Sequence, residues 1–373
     1  GGTNATLVLP EAEGSRQMLE SNGDVLRLRL SPGGGVLVAD VADGSSQVWS
    51  SRSGRPVGVR TCPGVRNLQI LPGGDRLVGE GAGGDVVVCR VGFDEELLRL
   101  RAPQELGRQQ VVKVFPAGDM LATTGGDDHE QTSTVILWDV ASGRVRHLLR
   151  SPHGPVRLLE VSPCGTLLAI ANVDRVYLWH AASGRFRMQL FPVSSALMEV
   201  KISSHGARIV GGASGSLFAW SGFTGRVELQ VQFTAGLPRF ALLPDDKLAL
   251  FAPRGAGEIW DLRTGERVHR LPAGGQGTRG AARVAASPDG RLFAACGTGR
   301  PRGQRRESAA WAMVWESATG RLLHAMEERQ PLPSLAEALG RQHCSIAVAQ
   351  MASMADELGR RREELRQRRR RVR

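Results

Sequence analysis

Residues 158–185 read LLEVSPCGTLLAIANVDRVYLWHAASGR, and the order of the parts decides the fold. A short apolar run, Leu158-Leu159-Glu160-Val161, meets the turn Ser162-Pro163-Cys164-Gly165. A second run, Leu167-Leu168-Ala169-Ile170, is followed by a loop and a third run, Val176-Tyr177-Leu178-Trp179. The turn Ser183-Gly184-Arg185 then opens a fourth stretch. Pro pre-sets φ for the first central position of a turn, and Gly accepts the backbone that a tight reversal needs. Short runs of aliphatic and aromatic residues bounded by such turns are strands. The unit is strand, turn, strand, loop, strand, turn, strand. Four strands in roughly 40 residues make one propeller blade.

Working outward, the same unit recurs. The third-strand slot is filled by Trp49, Cys89, Trp138, Trp179, Trp220, Trp260 and Trp315, at steps of 40, 49, 41, 41, 40 and 55 residues. The upstream turn reappears at Ser31-Pro32, Leu71-Pro72, Phe115-Pro116, Ser203-Ser204, Leu243-Pro244 and Ser287-Pro288. The downstream turn reappears at Ser53-Gly54-Arg55, Ser142-Gly143-Arg144, Thr224-Gly225-Arg226, Thr264-Gly265-Glu266 and Thr319-Gly320-Arg321. Seven units in register predict an all-β chain, a seven-bladed propeller of four-stranded antiparallel blades over residues 21–330. The seven slot residues are expected to be structural, filling the space between stacked sheets.

These repeats resemble the WD40 family over residues 6 to about 326. In that family Asp often follows the tryptophan, as in Trp138-Asp139 and Trp260-Asp261, whereas the other blades carry Ser50, Arg90, His180, Ser221 and Glu316. The family's His-Ser-Asp-Trp tetrad is eroded, with His153-Gly154 and Asp43-Gly44 as its best fragments. The resemblance implies a scaffolding or sensing role with protein partners. It also implies that the loops between second and third strands share one face of the propeller. The degenerate repeats resemble the C-terminal WD-repeat region of a large multidomain protein, such as a NACHT-and-WD-repeat protein.

The chain opens Gly1-Gly2-Thr3 without an initiating Met, as a fragment would. Residues 1–20 hold partial repeat strands: Thr6-Leu7-Val8-Leu9-Pro10 aligns with the tryptophan slot 39 residues before Trp49. They are expected either to close the ring on the last blade, which would remove exposed sheet edges, or to be the stump of an upstream blade. After Pro331 and Pro333 the repeat stops. Residues 331–373 are expected to be a helical Arg-rich extension, with Val348, Met351, Ala355, Leu358 and Leu365 at helical spacing.

The net charge of +11 suggests polyanion binding until it is located. Residues 360–373 carry +7, residues 331–359 carry −2, and residues 1–330 carry +6. Half of that +6 lies in the run Arg300, Arg302, Arg305, Arg306, Glu307. Only three Lys (113, 201 and 247) accompany 45 Arg. The five Cys form no C-x-x-C pair, which predicts free thiols in a reducing compartment and a cytoplasmic location. No stretch of 18 apolar residues is present to span a membrane.

Catalytic motifs are lacking. Gly79-x-Gly81-x-x-Gly84 and Gly275-x-Gly277-x-x-Gly280 fall between strands, with no helix to meet a phosphate. There is no G-K-[ST] loop and no G-x-S-x-G elbow. Asp127, Asp128, His129 and Glu130 cluster without the spacing of a calcium loop. No enzyme activity, metal or cofactor is expected.

The third and seventh units exceed the repeat length between their second and third strands. One insert is acidic (Asp127, Asp128, Glu130) and the other basic (Arg300, Arg302, Arg305, Arg306). With Asp43, these residues are the candidate partner-binding set, steering a protein partner by complementary charge. Arg368, Arg369, Arg370 and Arg371 could contact a polyanion or serve as a nuclear-targeting run. The sequence thus favours a non-catalytic protein-interaction scaffold. The alternative is a nucleic-acid-associated protein using the Arg-rich loop and tail.

Overall fold

The computed structural model describes residues 5–7, 17–19, 25–31, 35–41 and 46–50, and most of 53–330. The longest stretches left out of that span are 59–64, 104–108, 126–132, 191–196, 253–256, 272–280 and 300–307. Residues 331–373, with the expected C-terminal helix and Arg tail, lie outside the described residues.

The described residues form strands throughout, with no helix among them. β1 (Ala5–Leu7) and β2 (Gln17–Leu19) make a two-stranded antiparallel sheet. Blade one comprises β3 (Val25–Leu30), β4 (Val36–Val41), β5 (Ser46–Ser50) and β6 (Pro56–Gly58). Blade two comprises β7 (Arg66–Ile70), β8 (Arg76–Glu80), β9 (Val86–Arg90) and β10 (Glu96–Leu100). Blade three comprises β11 (Gln109–Val114), β12 (Met120–Gly125), β13 (Ser133–Asp139) and β14 (Val145–Ser151). Blade four comprises β15 (Leu158–Val161), β16 (Leu167–Ala171), β17 (Val176–His180) and β18 (Arg185–Leu190). Blade five comprises β19 (Leu197–Ile202), β20 (Arg208–Ala213), β21 (Ser216–Ser221) and β22 (Val227–Gln232). Blade six comprises β23 (Arg239–Leu242), β24 (Lys247–Phe251), β25 (Gly257–Asp261) and β26 (Glu266–Arg270). Blade seven comprises β27 (Arg283–Ala286), β28 (Leu292–Gly299), β29 (Ser308–Glu316) and β30 (Leu322–Gln330). Each blade is a four-stranded sheet in sequential order, so the chain is a seven-bladed β-propeller.

By packing, the chain falls into two units. The first is Gly1–Ala213 with Phe218–Val227, and the second is Ser214–Leu217 with Glu228–Arg373. In the first unit, the first strands of neighbouring blades approach one another (β3 with β7, β11 with β15, β15 with β19). In the second unit, β23 approaches β27 in the same way. The first strand is therefore the inner edge of each blade and the fourth its outer edge.

Burial follows that order. β12 and β16 are buried at every position, as central strands covered on both faces must be. The outer strands β10, β22 and β26 are mostly exposed. The slot residues seal neighbouring blades. Trp138 packs with Leu71, Val78 and Val88 of blade two. Trp220 packs with Leu167, Ala169 and Leu178 of blade four. Within the second unit, Trp315 stacks on Phe293 at 5.3 Å and meets Phe251 of blade six at 5.5 Å. Trp179 and Trp260 depart from the expected full burial. Trp260 instead donates its Nε1–H to Glu258 Oε2 at 3.0 Å.

The free-thiol expectation needs one correction. Cys164 and Cys296 form no disulfide, but Cys89, buried in the slot of blade two, is disulfide-bonded.

Candidate functional site

The two hairpin turns of each blade lie at the same end of the sheet, held there by a hydrogen bond that recurs blade after blade. The amide two residues after the slot donates to a carbonyl of the first turn: Val91 to Asp75, Val140 to Asp119, Ala181 to Thr166 and Gly222 to Ala207. Leu262 to Asp246 and Ser317 to Arg291 continue the series, all at 2.8–2.9 Å. These turns define a turn face.

The first turn is closed by its serine where one is present. Ser162 Oγ accepts the Leu167 amide at 2.9 Å, Ser203 Oγ that of Arg208 at 2.9 Å and Ser287 Oγ that of Leu292 at 3.0 Å. The second turn is closed by the residue after the slot. Asp139 Oδ1 accepts both the amide and the hydroxyl of Ser142 at 2.8 Å, and Asp261 Oδ1 accepts the amides of Arg263 and Thr264. Asp and Ser cap turns in this way because their short side chains reach back to the backbone.

The turn glycine has a second role at Gly184. Its φ is +62°, and a Cβ there would lie 2.6 Å from the ring of His147 on β14 of the preceding blade. His147 Nε2 also sits 3.0 Å from the carbonyl of Ala182 in the same turn. Gly143, Gly225, Gly265 and Gly320 likewise face the outer strand of the preceding blade, so the turns of blades three to seven nest against their neighbours.

In blade three the turn face is electrically closed. Asp139 accepts from Arg146 Nε at 3.0 Å and Nη2 at 2.6 Å, and Asp119 lies 4.0 Å from the same guanidinium. The hydrogen bonds of Ser142, then that of Arg146, hold the Asp139 carboxyl well below the usual carboxylate range. A depressed carboxyl stabilises the fold above its unfolded pKa and loses that contribution as pH falls through its folded value. Asp139→Asn is therefore expected to flatten part of the acid limb of stability, seen as a smaller loss of melting temperature below pH 4 or so than in the parent.

Blades four and five lack that closure. His180 and Ser221 stand in the Asp139 slot, while Thr166 and Ala207 stand where Asp119 does. The turn-face segments 162–167 and 180–187 of blade four hold no Asp or Glu, whereas in blade five Glu228 stands at the place of Arg146. Arg187 occupies the place of Arg146 but lies over the ring of Phe223, 5.8 Å from its centroid. Phe223 is 64% exposed. On the other side of the same hairpin Phe186, 51% exposed, meets Trp179 edge-on at 5.4 Å.

The inner edge of the first unit carries a different arrangement. Counted three residues before the turn proline, Lys113, Glu160 and the equivalent Lys201 fall at one level of β11, β15 and β19. Glu160 Oε2 lies 2.9 Å from Lys113 Nζ, and Oε1 lies 3.5 Å from Lys201 Nζ. Two of the chain's three lysines thus share one carboxylate across three blades. Glu160→Gln leaves the two ammonium groups facing each other. We expect a loss of about 1 kcal/mol in urea unfolding, reduced at high salt because the groups are partly exposed.

None of the residues singled out from the sequence for binding lies within the described residues. That applies to Asp43, Asp127, Asp128, Glu130, Arg300, Arg302, Arg305 and Arg306, and to Arg368, Arg369, Arg370 and Arg371. Their anchor points are described. β12 and β13 pair to the Gly125–Thr134 rung, and β28 and β29 to the Gly299–Ala309 rung. Both rungs stand at the end of their sheet opposite the turn face. Part of the extra length of blade seven goes into strand: β28 and β29 have 8 and 9 residues. The Gly79-to-Gly84 stretch is the β8–β9 hairpin, with no helix at its end. Among the described residues no three His, Cys, Asp or Glu side chains gather as metal ligands would.

No family model matches the chain, and no curated protein matches it. Among solved structures it is similar to the computationally designed Ika8 protein, with a TM-score of 0.58 and 19% identity. That match covers 81% of this chain and 86% of the designed one. A likeness at this identity concerns the fold.

Proposed function

We propose that the chain is a non-catalytic protein-interaction platform, a divergent WD40-type propeller that presents loops and turns on pre-organised blades. The observation that carries this reading is the turn lock repeated in six blades, with the turn glycines of blades three to seven set against the outer strand of the preceding blade. A surface held this firmly needs no ordering when a partner arrives, and avoiding that entropy cost favours binding. Propellers commonly act as interaction scaffolds, though fold alone does not specify function. The WD40 assignment is supported by the slot tryptophans and by Asp139 and Asp261, which cap the turns after them.

The two charged inserts are the first place to test. Proximity labelling in cells compares the parent with Arg302→Glu, Arg305→Glu and Arg306→Glu combined. At least one abundantly labelled protein is expected to fall by about tenfold, the effect of roughly 1.4 kcal/mol. Identical labelling would refute a role for that loop.

A further inference from the structure

The β1–β2 pair belongs to none of the seven blades. All four strands of blade seven are its own, β27 to β30, and β1 and β2 form a sheet of two. Its rungs nevertheless follow the repeat. Ala5 faces Leu19, Thr6 faces Met18 and Leu7 faces Gln17, residues 14, 12 and 10 apart. The third and fourth strands of blade three pair with the same separations, at Val135–Leu149, Ile136–Leu148 and Leu137–His147. So do those of blade four (Val176–Leu190, Tyr177–Gln189, Leu178–Met188) and blade seven (Ala312–Met326, Met313–Ala325, Val314–His324). In each of these blades the slot tryptophan is the next residue. The same register puts Val8 in the slot, 41 residues ahead of Trp49, the step that also separates Trp138, Trp179 and Trp220. Place in the chain agrees. Five residues separate β2 from β3, a first strand, as six separate β14 from β15, β18 from β19 and β22 from β23. The second and third strands β4–β5 and β8–β9 also pair with separations of 14, 12 and 10. A third strand at β2, however, would need a fourth before β3, and five residues leave no room for it.

We infer that β1–β2 is the outer half of a further blade, and that the free edge of β1 accepts the inner hairpin of the same repeat from the polypeptide ahead of it. In every complete blade the third strand is paired on both sides, by the second strand and the fourth. Among the described residues β1 is paired by β2 alone. The other edge of such a strand presents unpaired N–H and C=O groups, which template the addition of a strand. With three residues each, β1 and β2 are also too short to hold together in water without further strands. The repeat sets the occupant: two short apolar strands around a proline turn, as β15 and β16 are in blade four. It also sets the source. In all seven blades the inner hairpin directly precedes the outer one, with only four residues between β16 and β17. A connection that short closes at little entropic cost, whereas a second copy of the chain pays the full cost of association. The seven-bladed platform is then continued by another blade. This inference goes beyond the interaction-platform reading and does not depend on it.

The test fuses a copy of residues 155–175, the inner hairpin of blade four, directly ahead of Ala5 and follows hydrogen exchange by mass spectrometry. The amides of Ala5–Leu7 are expected to exchange at least about tenfold more slowly than in the parent chain. A second fusion carries Leu168→Pro and Ile170→Pro in the added copy, which interrupt its second strand, and is expected to exchange like the parent. Equal exchange in the parent and the first fusion, or protection that survives the two prolines, would overturn the inference. Deletion of residues 1–20 is the second arm, and the melting midpoint is expected to stay within about 2 °C of the parent. A larger fall would show that these residues close the ring of the seven blades, which overturns it. A dimer seen by light scattering in the parent and lost on the same deletion would assign the edge to a second copy and overturn it too. None of these results touches partner binding at the inserts, so the platform reading stands or falls separately.

Discussion

Gly222→Val is expected to cost about 3 kcal/mol or more and to lower the melting midpoint by roughly 5–10 °C. Gly222 is buried two residues after Trp220, at the point where the two turns of blade five cross. Its amide donates to the Ala207 carbonyl at 2.8 Å. A Cβ there would collide with the backbone carbonyl of Gly206 and stand 3.0 Å from Ile209 Cδ1. A side-chain neighbour could rotate away; a carbonyl fixed in a hydrogen-bonded turn cannot. The two turns would have to separate, losing the bond that fixes the turn face in this blade. Thermal unfolding followed by tryptophan fluorescence reads the effect. Gly35→Ala is the control: nothing lies within 4 Å of a Cβ at Gly35, and a change within about 0.5 kcal/mol is expected. Equal midpoints for the two variants would show that the turns of blade five are not tightly crossed.

That lock also shows what a single sequence can and cannot disclose. The blades were legible because a strand between a Ser-Pro turn and a Gly turn leaves a local mark, and seven such marks in register leave little freedom. The burial gradient across a blade was legible too, since LLAIA (167–171) is apolar throughout while RFRMQL (185–190) is not. The loss of the Asp–Arg closure in blade four was not read from the sequence, although its residues stood there: His180 is found where blade three has Asp139, and Thr166 where it has Asp119. Aligning the repeats and comparing charge slot by slot would have exposed it. The Lys113–Glu160–Lys201 ladder was hidden for the opposite reason. Its members lie 47 and 41 residues apart, and only the apposition of three first strands brings them together.

Trp315→Ala is expected to destabilise the second unit by about 3–5 kcal/mol, the usual loss for deleting a buried aromatic. The ring is 1% exposed and lies between Phe293 of its own blade and Phe251 of blade six. Deletion removes two aromatic contacts and leaves a cavity that paired strands on both sides cannot collapse to fill. The finer expectation concerns Trp→Phe. Trp138 Nε1 donates to Thr123 Oγ1 at 2.9 Å in a buried site, whereas Trp315 Nε1 is buried with no acceptor among the described residues. Trp138→Phe therefore removes area and a hydrogen bond; Trp315→Phe removes area and relieves an unsatisfied donor. The cost of Trp315→Phe should stay under about 1.5 kcal/mol, and Trp138→Phe should exceed it by about 1 kcal/mol. Urea denaturation of the three single variants measures both differences. If Trp315→Phe proves the costlier of the two, hydrogen bonding does not distinguish the slots, and the packing of Trp315 between Phe251 and Phe293 carries more than area accounts for.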